Sequence, residues 1–177
     1  MRTSWPEPVE RVADFLRKTG AEARLEELEP SSPTARAAAE AAGCPLDRIV
    51  ESIFFVCRGR WFIVLVPGDR RPDLAKLASA ADGTTARIAS REEVLALTGL
   101  EPAAVAPFPR PRLVEGVFVD RTLLTHDLVW LAAGSTAHFL AIRPAELLRL
   151  SRGRPMDAVQ EAAYHYPPAE SAARGDD

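Results

Sequence analysis

The acidic residue best placed for chemistry is Glu51, because it interrupts a run of apolar residues that is typical of a buried strand. The two-residue repeat of a strand places Glu51 on the same face as Ile49 and Ile53. A carboxylate there lies at a solvated strand end, in an ion pair with Arg48 or a loop arginine, or in a cleft. In a cleft, desolvation would raise its pKa and make it a candidate general base for a water molecule.

A second polar group follows Gly134 in a predicted turn, and it consists of Ser135, Thr136 and His138. Such a cluster is typical of a polar hairpin turn, and it also suits hydrogen bonding to a small substrate. Ser135 is a poor candidate nucleophile, because no histidine and aspartate accompany it in a pattern that would activate a serine. We therefore expect this group to bind substrate rather than to form a covalent intermediate.

The cysteines and histidines predict no metal centre. Cys44 and Cys57 belong to no CxxC motif, and the 3 histidines lack HExxH or HxH spacing. We expect two unpaired, partly buried thiols in a reducing compartment, with a disulfide or a zinc site as the alternatives. We expect neither a metal nor another cofactor.

Composition and charge restrict the class of protein. The chain has 177 residues, with 22 Lys and Arg, 25 Asp and Glu, and a formal net charge of −3. It is therefore not a polybasic nucleic-acid binder. No apolar run approaches the roughly 18 residues of a membrane-spanning helix, and the polar N-terminal residues do not resemble a signal peptide. We expect a globular cytoplasmic protein without a membrane partner.

The candidate residues must be positioned by a mixed set of helices and strands. Amphipathic and capped segments predict helices at 6–19, 35–42, 73–81, 91–98 and 144–150. Segments rich in β-branched and aromatic residues predict strands at 23–28, 49–57, 61–66, 86–89, 116–119, 128–132, 138–142 and 156–159. The irregular order of these elements favours an α+β fold with a mixed sheet over a doubly wound parallel sheet.

The length and the distribution of polar residues predict one domain. It spans residues 1–159, with the N-terminal helix at about 6–19 packed on it, and a polar tail follows at 160–177. The proline-rich loop at 100–113 is longer than a simple connector, and loops of this length are often functional.

Pairs of arginines lie at the predicted turns. Solvated loop arginines are one interpretation of this pattern, and a shallow rim that contacts phosphate groups is the other. The arginines concerned are Arg58, Arg60, Arg70, Arg71, Arg110 and Arg112.

The segment from Thr34 to Gly43, followed by Ile49-Val50-x-Ser52-Ile53, is similar to a known signature of the form T-x-x-x-A-A-x-x-x-G … I-V-K-S-L. This signature belongs to the YbaK/prolyl-tRNA synthetase-associated domain family, which comprises aminoacyl-tRNA editing domains. The resemblance extends over about residues 24–159. It continues through the segments 64–71, 73–77, 98–99, 105–108, 119–123, 132–134 and 146–148.

The resemblance implies a fold and an activity. The fold would be a mixed, partly closed β-sheet surrounded by helices, with the site in a cleft. The activity would be that of a trans-acting aminoacyl-tRNA deacylase, whose partner is the acceptor end of a mischarged tRNA. The implied substrate-binding residues are Ser52, Gly134, Ser135, Thr136 and His138. The tRNA would be contacted by the arginine rim, at Arg58, Arg60, Arg70 and Arg71.

Two departures from the family pattern concern the expected catalytic residues. Glu51 replaces a lysine that helps to hold the 3′ end of the tRNA, and Ala103 replaces the glycine of a G-x-x-x-P loop whose proline is retained as Pro107. A unit charge about 4 Å from a phosphate contributes about 4 kcal/mol at an effective dielectric constant near 20, before screening, and here its sign is reversed. The resemblance therefore implies a deacylase with a variant site at Glu51, Ala103 and Pro107. The alternative is a catalytically inactive module that binds an aminoacyl end, a small ligand or a protein partner.

Overall fold

Helices and strands follow one another irregularly along the chain, as the α+β prediction requires. A computed structural model describes residues 4–161. Its strands are β1 (Ala23–Glu27), β2 (Ile49–Cys57), β3 (Arg60–Pro67), β4 (Ala86–Ile88), β5 (Val114–Asp120), β6 (Val129–Ala132), β7 (His138–Ile142) and β8 (Arg154–Met156). Its α-helices are α1 (Glu7–Thr19), α2 (Ala35–Ala42), α3 (Leu74–Ala80), α4 (Arg91–Thr98) and α5 (Pro144–Ser151).

The eight strands of the described chain form one mixed sheet. Their order is β1-β7-β6-β2-β3-β5-β8, and β4 pairs with β2. The pairs β1–β7, β6–β7, β2–β3 and β2–β4 are antiparallel, whereas β2–β6, β3–β5 and β5–β8 are parallel. The sheet is open, with β1 and β8 at its two ends. The predicted α+β class and the mixed sheet are confirmed.

The centre of the sheet is the hairpin of β2 and β3. Arg58 and Gly59 connect the two strands with φ values of +54° and +72°. Positive φ at both central residues gives the tight turn that matches the twist of antiparallel strands. Ile63, Val64 and Leu65 have no exposed surface, because both faces of the central strands are covered.

Apolar side chains pack on both faces of the central hairpin. On one face, Phe54 belongs to a cluster that includes Val12 of α1 and Val94 of α4. On the other face, Phe55 belongs to a second cluster, which includes Leu77 of α3. The two-residue alternation of β2 therefore directs neighbouring side chains into different cores.

Helices α2 and α4 begin and end at the residues that the sequence indicates. The hydroxyl of Thr34 accepts a 3.2 Å hydrogen bond from an amide in the first turn of α2. Ser90 and Glu93 form the predicted capping box of α4. Gly43 and Gly99 end the two helices in the left-handed conformation.

The position of the last predicted strand is wrong. Pairing with β5 occurs at Arg154–Met156 rather than at 156–159. It ends there because the Asp120 carboxylate accepts a 2.8 Å hydrogen bond from the Ala158 amide, which takes the place of a strand partner. Asp120 also accepts a 3.1 Å hydrogen bond from the Thr122 amide, in agreement with its predicted role as a cap.

Val12 and Leu16 of α1 share a core cluster with residues of the sheet, and the predicted domain boundary at residue 159 remains a prediction. Gln160 is still attached to the fold, because its side-chain amide donates a 3.3 Å hydrogen bond to the Pro72 carbonyl. Residues 162–177 of the predicted tail lie outside the described residues. Between residues 4 and 161, every helix is too short or too polar to cross a membrane.

Candidate functional site

A gap interrupts the sheet along one edge of β2. On that edge, β6 pairs with β2 at Ile49 and Val50, and β4 pairs with it from Phe55 to Cys57. Residues 51–54 have no strand partner there, although all four pair with β3 on the opposite edge. The gap leaves a short strand edge open inside the sheet, and backbone polar groups on such an edge can bind a ligand.

Ser52 directs its backbone amide and carbonyl into this gap. The carbonyl of Phe54 accepts a 2.9 Å hydrogen bond from Ala89 on the β4 side, whereas the carbonyl of Ile49 accepts a 2.8 Å hydrogen bond from Gly68 on the β3 side. Backbone polar groups alternate between the two edges of a strand, so Ser52 has the orientation of Phe54. Ser52 therefore offers one amide donor and one carbonyl acceptor to a ligand in the gap.

The gap opens into a cavity of about 270 Å³, which we name the β2 cavity. Its walls come from the segment before α2, the start of β2, the loop around the short 3₁₀ turn Pro102–Ala104, and the β6–β7 hairpin. Most of the wall is apolar, and its polar side chains belong to Ser32, Thr34, Glu51, Ser52 and Thr136. Among the described residues, Glu51 is the single ionisable side chain on the wall.

Glu51 is half-buried, and burial raises the pKa of its carboxyl above the ordinary value. No ion pair or hydrogen bond joins its side chain to another residue within the described part of the chain. Of the three predicted environments, the structure therefore supports the cleft, and the predicted ion pair with Arg48 is not formed.

Two predicted catalytic residues, Ala103 and Pro107, belong to the loop before β5, but only the first of them lines the β2 cavity. Ala103 lies on the wall of the β2 cavity, as Ser52 does. Pro107 is buried and does not line the cavity. It precedes Phe108, whose ring stacks on Phe15 of α1 at 5.5 Å. Pro107 therefore belongs to the core that supports the loop.

Gly134 connects the β6–β7 turn with this loop and with α1. Its amide donates a 2.8 Å hydrogen bond to the Ala104 carbonyl. Its φ is +102°, and an added Cβ would lie 2.7 Å from the backbone of Pro8. Both the conformation and the close approach require glycine at this position. Gly134 thus positions the cavity wall without lining it.

Ser135 and His138 lie behind the wall of the β2 cavity. The Ser135 hydroxyl accepts hydrogen bonds from the amides of Ala137 (3.0 Å) and His138 (3.1 Å), and it lies 2.6 Å from Nδ1 of His138. The buried His138 ring packs edge-on against Trp5, with ring centres 6.2 Å apart. The Ser135 hydroxyl and Nδ1 of His138 are thus used within the hairpin, whereas Thr136 lines the cavity.

Arg58 and Arg60 lie far from the β2 cavity. Arg58 is seven residues beyond Glu51, and a strand rises by about 3.3 Å per residue, so the two are about 20 Å apart. Arg60 is 3.5 Å from the carboxylate of Glu115, with which it forms an exposed ion pair. These two arginines cannot share a ligand of ordinary size with Glu51.

Arg70 and Arg71 lie at the opposite end of the central hairpin, close to the cavity. They follow Gly68, where an added Cβ would lie 2.9 Å from Cβ of Ala35, a residue of the cavity wall. The Arg70 guanidinium donates a 2.5 Å hydrogen bond to the Gln160 carbonyl, whereas Arg71 is exposed. Of the four arginines expected to contact tRNA, Arg70 and Arg71 are therefore the pair nearer to the cavity.

A wider groove of about 920 Å³ opens beside the β2 cavity and shares Thr136 with it. Glu27, Glu29 and Glu101 lie on its walls, and Arg91 offsets one of these charges by pairing with Glu101. In the described chain, neither the groove nor the cavity has a lysine or an arginine on its wall. The electrostatic potential at this opening therefore favours cations and disfavours phosphate.

The segment before α2 forms part of the wall of the β2 cavity, and its residue types do not indicate this role. Pro30, Ser32, Pro33 and Thr34 line the β2 cavity, but their types indicate no more than a chain break and a helix cap. Phe139 of β7 also lines it, although an aromatic residue in a buried strand normally indicates core. These contributions depend on how distant segments meet, so the local sequence carries no signal for them.

The thiols and carboxylates do not form a metal site in the described chain. No group of three or more histidine, cysteine, aspartate or glutamate residues between residues 4 and 161 could hold a metal ion. Cys44 and Cys57 are free thiols, and Cys57 is buried.

The sequence of the chain matches a protein family over the region that forms the site. Residues 29–150 match the family model described as aminoacyl-tRNA editing domain. This range is more than half of the chain, and it contains all the residues that line the β2 cavity.

Among the proteins that are similar to the chain are two curated proteins and one solved structure. The uncharacterized protein YwhH of Bacillus subtilis (strain 168) is 36% identical over 126 residues, which are 71% of this chain and 79% of that protein. The proline–tRNA ligase of Staphylococcus aureus (strain Newman) is 32% identical over 84 residues, which are 47% of this chain and 15% of the ligase. A crystal structure of a candidate trans-editing enzyme for prolyl tRNA synthetase has a TM-score of 0.80 and 32% identity, and the match covers 89% of this chain and 99% of that one.

Proposed function

Because the chain belongs to the aminoacyl-tRNA editing domain family, we propose that it is a trans-acting deacylase of mischarged aminoacyl-tRNA. The observation that carries the proposal is the convergence of Glu51, Ser52, Ala103 and Thr136 on one cavity beside an open strand edge. The cavity volume of about 270 Å³ suits a small aminoacyl group. The partner would be the acceptor end of tRNA, and the reaction would take place in the cytoplasm without a metal or cofactor.

The proposed reaction is hydrolysis of an ester. Water attacks the carbonyl carbon, the carbonyl oxygen becomes negative in the tetrahedral intermediate, and the bond to the ribose oxygen then breaks. The ribose hydroxyl leaves with a proton, and the free amino acid is released. The backbone amide of Ser52 is oriented to donate a hydrogen bond to the developing oxyanion, since it faces the open edge of β2.

The ligand itself supplies the group that activates the attacking water. The ribose hydroxyl next to the ester can orient or deprotonate the attacking water, so no nucleophilic side chain is required. Ser135 is not needed as a nucleophile, which agrees with its hydrogen bonds inside the hairpin. Thr136 and the apolar wall would select the amino acid by size and by one hydroxyl contact.

The direct test is deacylation of a panel of mischarged tRNAs that includes Ala-tRNA and Cys-tRNA for proline. The unmodified protein is compared with Glu51→Ala, Glu51→Lys and a blank without enzyme. Turnover above the blank would support the deacylase, and its loss in Glu51→Ala would give Glu51 a direct role. No turnover with any substrate would contradict the deacylase for that panel.

The second candidate function is a binding module without catalysis. Two observations favour it: Glu51 stands where the resemblance predicts a lysine, and Ala103, which lines the cavity, stands where the resemblance predicts a glycine. The Glu51→Lys variant separates the two functions. In an inactive module, deacylation should appear or rise sharply in this variant. In an active deacylase with a variant site, deacylation should fall or change its substrate.

A further inference from the structure

The wall of the β2 cavity carries one charge, and no residue of the described chain balances it. Glu51 is half-buried, and its side chain forms no ion pair or hydrogen bond within residues 4–161. The remaining wall is apolar or hydroxylic. A carboxylate in such a place is stabilised when a ligand brings a positive charge to it.

The acceptors around Glu51 fit a protonated primary amine. An ammonium group has three N–H donors and no acceptor. The carboxylate of Glu51 and the backbone carbonyl of Ser52 come from adjacent residues, and the hydroxyl of Thr136 belongs to the same cavity. Together they offer at least three acceptors. A phosphate would instead need donors and would meet the repulsion of Glu51.

From these observations we propose that Glu51 is the specificity residue that binds a protonated amine of the ligand in the β2 cavity. The proposal rests on the proposed function in one respect, because that function identifies the amine as part of an aminoacyl group. Glu51 therefore selects aminoacyl groups by charge, whereas Thr136 and the apolar wall select them by size. The tRNA phosphates are left to groups outside the cavity, such as Arg71.

A binding experiment with non-hydrolysable probes separates this role from catalysis. The first probe is 3′-(L-alanylamino)-3′-deoxyadenosine, which has a free α-amine. The second is its L-lactoyl counterpart, in which a hydroxyl replaces the amine. The third is the Nα-acetyl-L-lysyl counterpart, in which the side-chain amine alone is charged. Dissociation constants are measured by calorimetry at pH 7 for the unmodified protein, Glu51→Gln and Glu40→Gln.

The amine probe should bind the unmodified protein about tenfold or more tightly than the hydroxyl probe, as expected for a charge-assisted hydrogen bond. In Glu51→Gln this preference should fall to about twofold or less. Glu40→Gln is the matched control, because it removes one negative charge from an exposed position on α2 that does not line the cavity, and its preference should not change. Tight binding of the acetyl-lysyl probe instead of the alanyl probe would assign the amine to the side chain of the substrate.

Three results would overturn the proposal: equal binding of the charged and uncharged probes, an unchanged preference in Glu51→Gln, or no binding of any probe. A thermal melt of each variant confirms that it is folded. The outcome is independent of turnover. Amine preference without deacylation would support the role of Glu51 and contradict the proposed function. Deacylation without amine preference would support the proposed function and contradict the role of Glu51.

Discussion

The amide of Gly134 donates a 2.8 Å hydrogen bond to the carbonyl of Ala104, and this contact fixes the β6–β7 turn to the loop that forms one wall of the β2 cavity. The backbone of Pro8, at the start of α1, lies against the other side of Gly134. The N-terminal helix therefore does not line the cavity, but it supports the residue that positions the wall. Stability and site geometry are coupled at this glycine.

The first prediction concerns Gly134→Ala. A Cβ at this position would lie 2.7 Å from the Pro8 backbone, and the φ of +102° is strained for any residue with a side chain. We expect the free energy of unfolding, measured with denaturant, to fall by about 2 kcal/mol or more. Deacylation should fall as well, because the loop that carries Ala103 would shift.

Gly20→Ala is the matched control for this substitution. Gly20 has a φ of +63°, and nothing lies within 4 Å of an added Cβ. Its replacement should therefore cost about 1 kcal/mol, from backbone conformation alone. Equal losses at Gly20 and Gly134 would contradict the close packing of α1 on the β6–β7 turn.

The second prediction distinguishes Ser135 from Thr136. Ser135→Ala removes the acceptor for the amides of Ala137 and His138, so the free energy of unfolding should fall by about 1–3 kcal/mol. Turnover of the folded variant should stay within a few-fold of the unmodified protein. Thr136→Ala should instead change the preference among aminoacyl groups with little loss of stability, since Thr136 lines the cavity.

Denaturation curves and deacylation of the same tRNA panel measure both effects. If Ser135→Ala abolished turnover while its stability was unchanged, Ser135 would be a catalytic residue and its assigned structural role would be wrong.

The local sequence predicts the elements of this fold well, because their causes are local. The bounds of β2 at Ile49–Cys57 follow from a β-branched and aromatic run that ends at the Arg58-Gly59 turn. The capping box of Ser90 and the left-handed ends at Gly43 and Gly99 are likewise set by neighbouring residues. Each of these features is encoded within about one turn of the chain.

The gap beside β2 has no such local cause. It exists because β6 stops pairing at Val50 and β4 begins pairing at Phe55. Both partners are distant in sequence, and their lengths are set by packing rather than by any residue in 51–54. The type of Glu51 indicates an unusual strand position, but only the tertiary structure shows that it faces a cavity.

Residue type alone assigns two groups of residues to the site that do not line the β2 cavity. Ser135 and His138 have side chains that suit chemistry, yet the turn uses both for its own hydrogen bonds. Arg58 and Arg60 are positively charged, as Arg71 is, but they lie at the far end of the central hairpin, about 20 Å from the cavity. Side-chain chemistry was predictable here, and three-dimensional proximity was not.

The third prediction concerns the pH dependence that Glu51 gives to stability. Burial raises the pKa of its carboxyl in the folded state above the ordinary value of 4.5. The folded state therefore holds the proton more tightly than the unfolded chain does. Stability contributed by this group is lost as the pH rises from about 4.5 through the folded-state pKa, and it stays lower above that pKa.

Glu51→Gln removes this dependence. We expect the variant to match the unmodified protein in melting temperature near pH 4 and to exceed it at pH 7, as measured by thermal melts across this range. Glu40→Gln again controls for the loss of one negative charge, since Glu40 is exposed, and it should show no such divergence. A variant that is less stable than the unmodified protein at pH 7 would show that Glu51 has a stabilising partner.

The fourth prediction assigns the tRNA contact to one end of the central hairpin. Arg71 is exposed close to the cavity end, whereas Arg60 lies at the far turn and pairs with Glu115. Arg71→Ala should weaken binding of an acceptor-stem minihelix and lower the slope of log affinity against log salt by about 0.7–0.9, as for the loss of one phosphate contact. Arg60→Ala should change neither quantity. Fluorescence anisotropy between about 50 and 200 mM salt measures both, and equal losses in the two variants would show that the tRNA extends along the whole hairpin.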